Sequence, residues 1–251
     1  MDSERRIWEI DFLRGFAIIC MIFDHIMFDF AYVFTFTEGI LGHISEFAAV
    51  YMNLTARAIL QNVFLVIFVG VSGISSSLSR SNYLRGFKLL AVALFLSLAT
   101  YLMGEGYFIK FGILHMLAVS IILYAVLQRV NNIALVIIGI LIVAVGIIIE
   151  VKGIKANSNI LMPLGIHAPG FSSADYYPLL PWSGVFFIGA VTGKNLYRNK
   201  ASLLPQFKGK RWHKPFAFAG RHALVIYLLH QPVIWLLLYL TALILGYDFF
   251  S

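Results

Sequence analysis

Apolar residues in this chain fall into long runs broken by short polar stretches, and the length of the runs decides how they are read. Runs of roughly 20 residues occur at about 8–35, 55–78, 84–103, 109–128, 132–150, 178–197 and 219–245, the length an α-helix needs to cross roughly 30 Å of hydrocarbon. Strands of a membrane barrel would alternate apolar and polar positions in segments of about 10 residues, and nothing in the chain does so. The pattern predicts an all-α, polytopic membrane helix bundle of about seven transmembrane helices, forming a single integral-membrane domain over residues 1–251.

Composition supports this reading, and charge gives it a direction. The chain is 60% hydrophobic and 12% charged, with a mean hydropathy of +0.86, outside the range of soluble domains. A formal net charge of +7 would suit a nucleic-acid partner until the charges are placed on the spans. With the N-terminus inside, Arg5, Arg6, Arg14, Arg80, Arg85, Lys88, Arg129 and eight Lys or Arg residues from Lys194 to Arg221 face the cytoplasm. Arg57, Lys110, Lys152 and Lys155 face outward. Fifteen against four is a strong positive-inside bias that puts the C-terminus outside and leaves no nucleic-acid role. The expected location is the plasma membrane, multi-pass, with the first span uncleaved. Cys20 is the single cysteine and lies in that span, so no intramolecular disulfide and no Cys-based metal site are expected.

The first span carries most of the chemistry. It holds Asp11, Arg14, Asp24, His25 and Asp29 in an otherwise apolar run. At 100° per residue Arg14 and His25 lie about 20° apart, with Asp11 and Asp29 about 40° to either side of His25. Asp24 lies about 100° away and faces a different neighbour. An Arg or Asp near the bilayer centre costs about 2.5–3.5 kcal/mol on insertion scales, so the stripe must face protein or a water-filled cavity. Asp11 and Arg14 are close enough to the end of the run to snorkel as anchors, whereas His25 lies about 20 Å along the helix, beyond the near headgroups. A neutral imidazole suits proton removal from an amine or hydroxyl attacking a thioester. Asp29, one turn on, could set its tautomer and stabilise the imidazolium, as could Asp24 if the backbone departs from ideal helix. A covalent acyl-histidine is the other route.

Further polar groups mark the remaining spans. Arg57, Gln61 and Asn62 occupy the outer half of the second, and small residues including Gly70 and Gly73 fill its inner half, as they do where helices pack closely. His115 lies about one turn below the outer surface, and the fifth span has no polar side chain and suits a lipid-facing position. Asp175, Tyr176, Tyr177 and Trp182 cluster where the sixth enters; aromatics there anchor helices in the headgroup belt, but Asp175 needs another explanation. The last span holds His222 near the inner surface and His230, Gln231 and Pro232 deeper, which suits a helix lining protein, since Pro frees a carbonyl that needs a partner.

Four ordered segments resemble a known enzyme family. Arg14 and His25, separated by ten residues as R-GFAIICMIFD-H, resemble the pattern of acyltransferase family 3. EIDFLRGFAIICMIF, FGILH at 111–115, DYYPLLPW at 175–182 and GRHALVIYLLHQP at 220–232 resemble bacterial relatives of heparan-α-glucosaminide N-acetyltransferase. The resemblance implies transfer of an acyl group, usually acetyl, from cytosolic acyl-CoA to an amino sugar or glycan across the membrane, with acetyl-CoA as donor substrate and no metal. It implies that Arg14 positions the donor and that His25 is catalytic. Arg80, Arg85 and Arg221 are candidates to join Arg14 on the donor phosphates, because guanidinium groups pair bidentately with phosphate. Asn62, His115, Asp175, Tyr176, Trp182 and His230 are candidates for the acceptor site; of the two histidines, one is placed to bind acceptor and the other to brace the core. His43 in the first outer loop lies farther along than the family places its loop histidine.

Two other classes compete: a transporter or flippase using the ionisable stripe as its path, and a non-catalytic membrane partner in which the polar residues only lock helices together. No inverted repeat favours the first. Membrane lipids are expected partners in every case, and a homo-oligomer is left open.

Overall fold

The computed structural model describes residues 7–247; Arg5 and Arg6, counted above on the cytoplasmic side, lie outside the described residues. Among those residues the chain is all-helical. It forms α1 (Trp8–Phe28), α2 (Gly39–Met52), α3 (Thr55–Ser77), α4 (Asn82–Met103), α5 (Ile113–Leu127), α6 (Asn132–Lys152), α7 (Leu179–Leu196), α8 (Lys214–Arg221) and α9 (Ala223–Leu245). The only β pairing among them is an isolated bridge between Phe111 and Tyr176.

Five helical stretches are long and apolar enough to cross a bilayer: Trp8–Val33, Thr55–Ser77, Asn82–Met103, Asn132–Lys152 and Ala223–Leu245. The runs expected at 109–128 and 178–197 are also helical, but shorter. α5 has 15 residues, about 22 Å at 1.5 Å per residue, because its first residues are spent on an extended stretch that pairs with the 173–177 loop. α7 is interrupted at Leu180, whose backbone is extended. Two connecting segments contain helices of their own, α2 between α1 and α3 and α8 in the basic stretch before α9.

The chain divides into two compact units, one running to Phe68 and resuming at Leu204, the other Val69–Leu203. In the first, α1 passes into a π-helical turn, Asp29–Val33, of the kind often found at functional sites. The N-terminal part of α1 crosses α8 where two glycines meet. A Cβ on Gly15 would stand 1.8 Å from Phe216 O, and one on Gly220 would stand 1.8 Å from Asp11 O, so only hydrogen fits at either position. Farther along, Met27, Phe30, Phe36, Ala48, Ile234, Leu238 and Ala242 bury one another and fix α1, α2 and α9 together.

In the second unit α5 is the most enclosed helix, with ten of its residues buried. α6 and α7 pack through a seam of small residues, Gly139 against Gly184 and Gly146 against Pro181. The small residues of α3 have the close-packing role expected of them, Gly73 resting on the backbone of Phe186 and Gly189 on that of Gly70.

Candidate functional site

The stripe on α1 faces the α8–α9 segment along its length, within the first unit. At its start the Arg14 guanidinium donates to Gly220 O (3.3 Å) and Asp11 Oδ1 (3.4 Å), placing a cation at the C-terminal end of α8, where the helix dipole favours it. About three to four turns on, His25 and Asp29 meet α9. The rings of His25 and His230 lie 4.9 Å apart and perpendicular. Asp29 is fully buried and accepts from Gln231 Nε2 at 2.9 and 3.0 Å and from Trp235 Nε1 at 3.1 Å.

Backbone contacts settle the histidine tautomers. His25 Nδ1 lies 2.9 Å from Met21 O and His230 Nδ1 lies 2.6 Å from Tyr227 O. A carbonyl oxygen only accepts, so each Nδ1 carries the proton and each Nε2 of the neutral ring is a lone-pair base. In its neutral form His25 thus offers Nε2 as a free ring nitrogen on an apolar helix, with a buried carboxylate one turn away to stabilise any positive charge that develops on it. These are the parts that general-base catalysis needs.

Asp24 turns away from this pair. It accepts from Arg57 through both carboxylate oxygens and from Tyr51 Oη at 3.2 Å, with the two charged side chains only 13% and 16% exposed. Burial and the Asp24 carboxylate push the Tyr51 phenol above its ordinary value. Of the three acid–base candidates, the structure brings together His25 and Asp29, and Asp24 is committed to α2 and α3.

Beside the first turn of α1, a cavity of about 860 Å³ is lined by Lys208, His213, Lys214, Arg221 and His222 together with Asp11. His213 is buried against Trp8, ring centroids 4.4 Å apart, and its Nε2 donates to Phe207 O. Of the expected phosphate ligands, Arg221 therefore lines a basic cavity. Arg85 donates to Asn82 and Arg80 is exposed, both in the second unit.

The expected acceptor residues are divided. Asn62 is exposed and donates to Ala58 O on its own helix. In the second unit, His115 and Asp175 close the start of α5: Gly112 N donates to His115 Nδ1 at 3.2 Å and Ile113 N to Asp175 Oδ2 at 3.0 Å, satisfying amides that a helix leaves open. The His115 ring then donates from Nε2 to Ser97 Oγ, 3.3 Å away. Tyr176 donates to Met162 O, and burial pushes its phenol up to about 12. Trp182 packs edge-on against Tyr177. Among the described residues no cluster of three or more His, Cys, Asp or Glu side chains could hold a metal ion.

In the sequence Gln231 is only a sign that α9 lines protein, and neither Trp235 nor the Arg57–Asp24 pair is marked. Charge could have pointed to the pair, since Asp24 and Arg57 are opposite charges on otherwise apolar helices. Trp235 gives no such signal, because interfacial and buried tryptophans look alike in sequence.

The family model described as "Heparan-alpha-glucosaminide N-acetyltransferase, catalytic" matches residues 6–232, a range that includes His25, Asp29, His230 and Gln231. No curated protein and no solved structure matches the chain.

Proposed function

The chain belongs to the heparan-α-glucosaminide N-acetyltransferase catalytic family, a family of membrane acetyltransferases, and from that premise we propose that it moves an acetyl group from cytosolic acetyl-CoA across the bilayer to an amino sugar or glycan. The observation that carries this reading is the His25 site: an imidazole whose Nδ1 is tied to Met21 O, leaving Nε2 as base, one turn from the buried Asp29 carboxylate. His25 removes a proton from the acceptor and so frees the nitrogen lone pair that attacks the thioester, and Asp29 stabilises the imidazolium. The ten-residue spacing of Arg14 and His25 resembles acyltransferase family 3 and agrees with these roles.

The donor has a natural entry. Lys208, Lys214 and Arg221 in the cavity beside α1 suit the phosphates of a CoA, with Arg14 at the end of the stripe. From Arg14 to His25 is about 16.5 Å along the helix at 1.5 Å per residue, a distance an extended pantetheine arm covers without burying phosphates in hydrocarbon. The seven-span topology, with the basic segments inside and the C-terminus outside, gives the reaction its sidedness and suits a plasma-membrane enzyme.

Sealed vesicles of known orientation test this, with acetyl-CoA confined to the inner face and an impermeant amino sugar to the outer. Product is expected only in that arrangement. His25→Ala is expected to retain less than about one hundredth of the rate, the lower bound for general-base catalysis. Product that forms only when both substrates share a compartment rules out transfer across the bilayer.

A further inference from the structure

Two buried polar atoms between α1 and α9 have no partner among the described residues: His230 Nε2 and Gln231 Oε1. Both are acceptors, and both are held in that sense by what the rest of the side chain does. The His230 proton sits on Nδ1, bonded to Tyr227 O. The Gln231 amide must turn its NH₂ end to the Asp29 carboxylate, which only accepts, so its oxygen points elsewhere. His25 Nε2 is a third acceptor, fixed in the same way by Met21 O, on the ring that packs against His230. Beside them lies Asp29, fully buried, whose hydrogen-bond partners are the neutral donors Gln231 and Trp235. Native interiors pair nearly all their buried polar atoms, so two buried acceptors without a donor, the Nε2 of the half-buried His25 beside them and a carboxylate bonded only by neutral groups define a complementary ligand: a cation rich in N–H donors.

We propose that His25, His230 and Gln231 form a three-acceptor site for the primary ammonium of the acceptor substrate, with Asp29 supplying the opposing charge. This rests on the acetyl-transfer reading and adds what selects an amine over a hydroxyl. The ammonium presents three N–H groups to three acceptors. It gives one proton to His25 Nε2, and the freed lone pair attacks the acetyl carbonyl while two N–H groups remain on His230 Nε2 and Gln231 Oε1. As the C–N bond forms and the C–S bond breaks, the nitrogen loses a second proton. One of the two protons goes to the departing CoA sulfur and the other to solvent. A hydroxyl has a single hydrogen to offer and leaves acceptors unpaired, the situation in which polar sites discriminate most strongly.

Glucosamine and glucose differ at one group and are the probes, with acetyl-CoA as donor and the full-length protein. His230→Leu is expected to raise KM for glucosamine and to reduce the glucosamine-to-glucose ratio of kcat/KM by about tenfold, the worth of one hydrogen bond to a charged group. His230→Gln, which keeps an acceptor, is expected to recover most of that ratio. An unchanged ratio in His230→Leu, whatever happens to the overall rate, overturns the proposal and leaves His230 as a brace between helices. Wild-type protein supplies a second measurement that needs no variant: glucosamine is expected to raise the thermal midpoint, and glucose at equal concentration is not. Equal shifts overturn the site. If the wild type acetylates neither sugar, the acetyl-transfer reading fails, while the thermal shifts still decide whether an ammonium binds.

Discussion

Asp24 and His25 are neighbours in sequence with different structural tasks. Asp24 is locked to Arg57, an ion pair mostly withdrawn from solvent. Removing one partner of such a pair strands the other, at a cost of about 3 kcal/mol, the lower end for fully buried pairs because these side chains keep some exposure. Arg57→Leu is therefore expected to lower the thermal midpoint in detergent clearly, and adding Asp24→Leu to recover much of the loss; equal destabilisation by the single and double variants would contradict a stranded charge. At this scale the sequence was legible where one helix sufficed. The 100° rule put His25 and Asp29 on one face and Asp24 on another, and α9 and Arg57 now occupy those faces. It could not show that His115 and Asp175 are engaged by backbone amides at the start of α5, because that depends on how the 173–177 loop pairs with Phe111.

Among elements, the tightest constraint is the crossing of α1 and α8. The Cβ positions of Gly15 and Gly220 are already occupied by backbone, so Gly15→Ala must push the helices apart, with an overpacking cost of about 1–3 kcal/mol or more. Gly70, whose Cβ would meet nothing within 4 Å, provides the control. Gly70→Ala is expected to hold or slightly raise the thermal midpoint, and Gly15→Ala to lower it by several degrees; similar midpoints for the two would show that the crossing yields. Hydropathy found the long helices because a bilayer demands about 20 apolar residues from each. It missed α2, whose 14 residues are too few for that signal and whose turns lie in what reads as a polar loop. It carried the first span past Asp29, as the helical stretch to Val33 does, but could not show that the α-helix gives way to a π turn there.

For the whole molecule, the first unit is assembled from two distant parts of the chain. Asp29 and Gln231 are 202 residues apart, and Arg14 and Gly220 are 206 apart. A chain ended at Leu203 keeps every ionisable group of α1 and loses α8 and α9. It is expected to reach the membrane at a yield reduced several-fold, with Asp29→Asn restoring part of the loss; quantifying the membrane fraction checks this, and wild-type yield from the shortened chain would mean that α1 needs no partner. The same separation sets a clock on biosynthesis. At about 5–20 residues per second, roughly 10 to 40 seconds pass between the emergence of Asp29 from the ribosome and that of the glutamine that will hold its carboxylate. During that interval the nascent first helix must shelter its charges without α9, so insertion machinery or a chaperone at the membrane has to keep it from being discarded until the last helix arrives.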